Sequence, residues 1–213
     1  MNTWMVKNVS IIIVSLIGGL IFHYISSPSK QARKKQELES ITSLLVNFIL
    51  FVWVGKLLIN LPLLFTNPLA VLAYPSSSTA FIIAVLLTTI NIIYQVKRKS
   101  MDYSVILASF VPVFLGSAFL YEFIDLVWHE NTFAWGHQGL LLLLIVVFLI
   151  THEKLSPILM ACVILTGWSA GQLIIAYTMP YTALYGYTMP EWFLFLVFAT
   201  SIITFVYNRR RIS

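Results

Sequence analysis

The sequence predicts an all-α integral membrane protein of seven transmembrane helices, with the N-terminus outside and the C-terminus in the cytoplasm. Three observations lead there. Of 213 residues, 59% are hydrophobic and only 10% charged, where a soluble domain carries about 25% charged residues. The apolar residues fall in runs near the ~20 residues that span a bilayer core. The lysines and arginines gather in short clusters between alternate runs, as the positive-inside bias requires.

The first run, 9–25, follows Lys7 and could pass for a secretory leader. No small-x-small cleavage site with a polar mature domain follows it. The basic segment "SKQARKK" comes next, so the run reads as an uncleaved first span. The later spans are read near 41–59, 78–95, 104–127, 137–151, 156–178 and 190–207. The fifth, "HQGLLLLLIVVFLI", is the shortest but carries no charge. No run shows the alternation of barrel strands, and residues 1–213 read as a single polytopic domain.

Orientation follows from the loops. Lys30, Arg33, Lys34 and Lys35 lie between spans one and two, and Lys97, Arg98 and Lys99 between three and four. Lys154 separates five and six, and Arg209, Arg210 and Arg211 follow seven. With seven spans all of these share one face, the cytoplasmic one. Lys7 alone lies opposite, and Lys56 falls inside the second span. An even span count would scatter the clusters. The net charge of +5 is thus a topology signal, and no nucleic-acid partner is expected. A single cysteine, Cys162, excludes an internal disulfide, and no Cys/His spacing suggests a metal site.

The segments assigned to the outer side differ in character. "LPLLFTNPLAVLAYPSSS" is apolar, proline-broken and uncharged, which fits a stretch lying in or dipping into the interface. "YEFIDLVWHENTFAWGHQ" is acidic, aromatic and histidine-bearing, and "MPYTALYGYTMPEW" is tyrosine-rich with two Met-Pro breaks. Tyr and Trp at such positions suit the aromatic belt. Function is therefore expected on the outer side.

Several polar residues stand inside or beside the spans. A lysine at mid-membrane costs about 2.5–3.5 kcal/mol on insertion scales, so Lys56 needs an account. Either its stem snorkels to the interface, or its ammonium meets an anion, a lipid phosphate or an acidic partner such as Asp125. Glu122, Asp125 and His129 share a face if the fourth helix continues that far; the alternative is a solvated helix end. Gln172, among the small residues Gly167, Ser169, Ala170 and Gly171, suits an interhelical hydrogen bond. His137 and Gln138 open the fifth span, where an interfacial structural role is the plain reading. His23 and Trp53 carry no distinguishing signal.

The order of features along essentially the whole chain resembles the prolipoprotein diacylglyceryl transferase family. "GGLIFHYISSPSKQARKKQ" looks like that family's opening span and Arg-rich loop, and "VGKLLIN…TNPLAVLAYPSSSTAF" is similar to its Gly-x-Arg-x-Gly-Tyr span, Asn-Pro-Leu segment and His-Gly-Gly motif. "SFVPVFLGSAFLYEFID" sits where the family has its Ala-Pro and Gly-Arg-x-Gly-Asn-Phe signature. "WGHQGLLLLL", "GWSAGQLIIAY" and "GYTMPEWFLF" resemble the His-Pro-Thr-Gln-Leu-Tyr-Glu, Tyr-Gly-x-x-Arg and Gly-x-Thr-x-x-Gln-Trp elements. Lys56 stands in place of a family arginine, and Asp125 near a family acidic residue. Ser117 and Gln172 stand in place of two further arginines, and "PSSST" around Ser77 replaces His-Gly-Gly.

The resemblance implies a multi-pass protein of the bacterial plasma membrane that handles phosphatidylglycerol, with lipoprotein precursors or another membrane protein as partners and no further cofactor. The family moves a diacylglyceryl group from phosphatidylglycerol to a cysteine thiol, releasing glycerol phosphate. That reaction needs a base, and fixed cations on the phosphate. Serine and glutamine do not replace the bidentate fork of arginine. The expected function is accordingly a non-catalytic relative, a pseudoenzyme, binding phospholipid or a lipoprotein precursor at the outer leaflet, with Lys56, Gln172 and Ser117 at the lipid phosphate. An active diacylglyceryl or related acyl transferase with a rebuilt acid–base site at His129, His137 and Asp125 is the alternative. A small membrane transporter is a third reading, opposed by span interiors that carry no charge apart from Lys56.

Overall fold

The computed structural model describes residues 3–29, 31–67, 71, 76–98, 102–129, 131 and 134–212. Among the described residues, these elements follow in chain order: α1 (Thr3–Ser26), α2 (Gln31–Ile59), α3 (Leu61–Thr66), α4 (Ser78–Lys97), α5 (Tyr103–His129), α6 (Ala134–Thr151), α7 (Pro157–Thr178), β1 (Ala183–Leu184), β2 (Tyr187–Thr188) and α8 (Glu191–Ile212). Seven of these helices, all but α3, are long and apolar enough to cross a membrane. The protein is therefore a helical, multi-pass membrane protein, departing from all-α among the described residues at the hairpin. The chain divides into two compact units, residues 1–38 with 104–213, and residues 39–103.

Helix α2 begins ahead of the expected second span, and the loop expected over 26–40 is mostly helical. "QARKKQELES" is rich in strong helix formers, and its Glu37 is almost fully buried. His23 Nε2 lies 3.5 Å from Glu37 Oε2. Ser27 and Ser29 donate to the same carboxylate at 3.1 and 2.8 Å, and Arg33 approaches it at 3.3 Å. Together they staple the start of α2 to the end of α1. The stretch expected as a basic loop is largely helical and closes around the Glu37 carboxylate.

The first unit is built around α5, the most enclosed span, with 56% of its most apolar window buried. Gly19 lets α1 lie against it. A Cβ on Gly19 would fall 2.6 Å from the carbonyl oxygen of Val113 and 2.8 Å from Cβ of Ser117. Small residues permit such approach, which in membranes replaces hydrophobic driving force by close packing. Phe114 of α5 meets Trp168 of α7 edge-on at 5.6 Å, and α7 packs on both α6 and α8. Ser156 caps α7, accepting from Leu159 N, with Pro157 at the first helical position.

The outer faces of these helices are apolar: Ile13, Ile17 and Ile21 on α1, Leu142, Val146 and Ile150 on α6, and Phe195 and Ile203 on α8 are all exposed. Contiguous apolar surface of this kind suits lipid, not water. Trp128, Trp135, Tyr177 and Trp192 are also exposed, each at the end of its helix near residues 130 to 190. That is the position of an interfacial aromatic belt.

In the second unit, Phe48 of α2 meets Phe81 of α4 edge-on at 5.3 Å, and Ala80 backbone crowds Gly55. Helix α3 covers the first part of the proline-broken segment and leaves Phe65 exposed. Residues 68–70 and 72–75, on which the rest of the expected interfacial segment falls, lie outside the described residues. Ser77 is the N-cap of α4, accepting from Ala80 N. Its role is structural.

Candidate functional site

The site begins at the turn between β1 and β2. Ala183 pairs with Thr188 and Leu184 with Tyr187, which leaves Tyr185 and Gly186 as a two-residue loop. Their φ angles are 52° and 78°, the left-handed pair that the tightest hairpin turn demands. Glycine accepts that region freely, whereas a tyrosine there costs about 1 kcal/mol. Tertiary contacts offset it. The Tyr185 hydroxyl is hydrogen-bonded to Ser117 Oγ at 2.5 Å, and its ring meets Tyr121 edge-on at 5.6 Å. Removal from water pushes the Tyr185 hydroxyl well above the usual phenol range, with the nearby Glu122 adding to the rise and the Ser117 bond opposing it. At the hairpin base, Thr182 and Met189 exchange two hydrogen bonds of 2.8 Å.

Gly186 fits where no side chain can. A Cβ on it would lie 2.5 Å from the Tyr121 hydroxyl. Gly186→Ala is therefore expected to lower stability by about 2 kcal/mol, from left-handed strain and overpacking together. The midpoint of thermal unfolding in detergent measures it, and an unchanged midpoint would exclude this turn geometry.

Between the hairpin and the adjoining helix ends lies a cleft of about 240 Å³. Helix α5 contributes Tyr121, Glu122 and Asp125 to it, α6 contributes His137, and Asn131, Tyr181, Gly186 and Thr188 complete most of its wall. No lysine or arginine lines it among the described residues. Asp125 is the organised member. One of its oxygens lies 2.8 Å from His129 Nδ1, and the other accepts from Asn131 Nδ2 at 2.8 Å. Asn131 in turn meets the Tyr181 hydroxyl at 3.1 Å.

The other two ionisable members are different. Glu122 is 5% exposed and His137 2% exposed. The ring of His137 faces the side-chain amide of Gln172 and the backbone of Tyr181, but neither of its nitrogens closes a hydrogen bond. Gln172 Oε1 is likewise without one. For Glu122, no hydrogen bond or ion pair forms among the described residues. Buried polar groups are nearly always satisfied, so the open nitrogens of His137 stand out in the wall of the cleft.

The predicted site residues are distributed as follows. Asp125 and His137 share the cleft, and His129 reaches it through Asp125. Helix α5 does run on through His129, so Glu122, Asp125 and His129 do lie on one helix. Gln172 stands behind His137. Ser117 is 1% exposed, and its hydroxyl is shared between the Val113 carbonyl and Tyr185; it is a strut of the hairpin. Lys56 belongs to the second unit, with only 4% of its surface exposed and its ammonium 5.1 Å from the centre of the Trp53 ring. The ring supplies part of its stabilisation. Asp125 is engaged by His129 and Asn131. Sequence reasoning missed Tyr121, Asn131 and Tyr181 as wall residues. A faint signal was present for the hairpin: "TALYGYTM" brackets a Gly-containing dipeptide with short strand-forming residues.

No protein-family profile, no curated protein and no solved structure matches the chain.

Proposed function

We propose that this chain is a plasma-membrane protein of a bacterium, N-terminus outside and C-terminus cytoplasmic, that binds a phospholipid headgroup at the outer leaflet without transferring it. The observation that carries this reading is the cleft: two buried ionisable groups, Glu122 and His137, neither closing a hydrogen bond among the described residues, at the level of the exposed tryptophans, with no lysine or arginine in the described wall. The charge clusters support the orientation, and the layout shared with the diacylglyceryl transferases supports a lipid. The same layout makes phosphatidylglycerol a candidate ligand and lipoprotein precursors, or another membrane protein, candidate partners.

Transfer chemistry asks for more than the cleft holds. Charge building on a phosphate leaving group needs fixed cations, and removing one such stabiliser costs about 10²–10³ in rate. Ser117 and Gln172 are neutral, and the Ser117 hydroxyl is already engaged. Purified protein in phosphatidylglycerol micelles, given a lipobox peptide, is therefore expected to release no glycerol phosphate while retaining bound phospholipid. The contact between His129 and Asp125 at 2.8 Å favours one other reading, an active transferase with these residues and His137 as its acid–base set. Glycerol phosphate release abolished by His137→Ala and Asp125→Ala would establish that reading and overturn ours.

A further inference from the structure

Resting on the lipid-binding reading, we infer that the cleft selects a primary ammonium headgroup, that of an ethanolamine phospholipid, over an anionic or quaternary one. The cleft's acidic side chains among the described residues are Glu122 and Asp125, one helical turn apart on α5. A phosphate brought against two carboxylates meets like charge, which disfavours it. A cation meets the opposite.

Asp125 already accepts from Asn131 and contacts His129, whereas Glu122, though more than nine-tenths buried, has no partner among the described residues. His137 is buried deeper still, and both its ring nitrogens are open. A neutral imidazole offers one acceptor and one donor, and a carboxylate offers acceptors only. The vacant positions therefore call chiefly for N–H donors. A primary ammonium brings three of them on a point charge, and a quaternary ammonium brings none. Tyr121 and Tyr181 add aromatic faces to the wall, and such faces attract cations. A metal ion is a poorer match, since no three His, Cys, Asp or Glu side chains among the described residues are grouped to hold one.

The position of the cleft identifies the source of the ammonium. It lies at the ends of α5, α6 and α7, where Trp128, Trp135 and Tyr177 are exposed. Side chains of that kind sit at headgroup depth. An amine carried on a lipid is held there by its acyl chains, and a free amine is not.

The test is native mass spectrometry of the full chain, released from detergent after incubation with phosphatidylethanolamine, phosphatidylglycerol or phosphatidylcholine of identical acyl chains. Wild type is expected to retain the ethanolamine lipid about tenfold better than either of the others, the discrimination that one charge-assisted hydrogen bond provides. Glu122→Gln keeps the shape and removes the charge, and is expected to erase the preference. Excess glycerophosphoethanolamine should displace little lipid; complete displacement would show that the soluble amine is the ligand and overturn the assignment to a lipid. Phosphatidylglycerol retained as well as phosphatidylethanolamine by wild type would overturn the ammonium inference and leave the lipid-binding reading standing. Retention of no lipid at all would remove both. The wild-type comparison decides the matter even if Glu122→Gln does not fold.

Discussion

Gly19→Val is expected to destabilise the protein by about 3 kcal/mol, the upper range for overpacking a well-filled interior. The neighbour that a new Cβ would meet is the Val113 carbonyl oxygen, at 2.6 Å, followed by Cβ and N of Ser117 at 2.8 and 2.9 Å. Two of these are backbone atoms of α5. A flexible side chain can swing aside, but these can yield only if the helices part. Because α5 is the most enclosed span, parting α1 from it disturbs the centre of the first unit. The disturbance is also local to the site: Ser117 is the residue that holds Tyr185, and Tyr185 holds the turn. The variant should therefore both melt earlier and lose lipid. Cys162, the chain's single cysteine, is buried, so a thiol-reactive dye reports unfolding directly. Gly139→Ala is the matched control. A Cβ there meets nothing within 4 Å, and alanine is favoured over glycine in a helix by about 1 kcal/mol. Equal melting of Gly19→Val and wild type would show that α1 and α5 do not make this contact.

The spans were legible because hydropathy over some 20 residues is a long, redundant signal. All seven expected spans correspond to helices, with the largest shift at the start of α2. That shift has a cause the apolar pattern cannot express. Residues 31–40 are too polar to count toward a span, yet they continue its helix because their propensities favour it and Glu37 is held from outside the helix. The site was legible in part. Asp125, His129 and His137 stand out as polar residues at span ends, and the fold does connect them. What joins them did not stand out: Asn131 and Tyr181 are ordinary loop residues until the hairpin brings one against the other. The hairpin itself breaks a local rule, since tyrosine is a poor choice for a left-handed position. Only its long-range bonds to Ser117 and Tyr121, more than 60 residues away, make it stable. The resemblance gives Ser117 and Lys56 to a phosphate by position in a pattern; the Ser117 hydroxyl bonds to the hairpin, and Lys56 lies beside Trp53 in the second unit.

Glu37 offers the sharpest test of how the corner over residues 23–37 of the first unit is held. Glu37→Ala should cost about 3 kcal/mol, because it strands the part-buried donors that share this carboxylate. Here His23, itself 1% exposed, would lose the carboxylate 3.5 Å away, and Ser27 and Ser29 would lose their acceptor. Arg33 matters less. Its side chain is 57% exposed, and an exposed ion pair contributes about 0–1 kcal/mol. Two further measurements separate a buried network from a surface one. The cost of Glu37→Ala should persist in high salt, since buried pairs are screened little. The double variant His23→Leu/Glu37→Leu should recover to within about 1 kcal/mol of wild type, because exchanging a whole buried pair for apolar side chains is often neutral. Recovery in the double variant, with loss in the single one, would show that the corner is held by mutual satisfaction of its polar groups. A double variant as unstable as Glu37→Ala would instead place the stabilisation in the two serine bonds to Glu37, and α1 and α2 would then be joined through their connecting turn and not through the buried histidine.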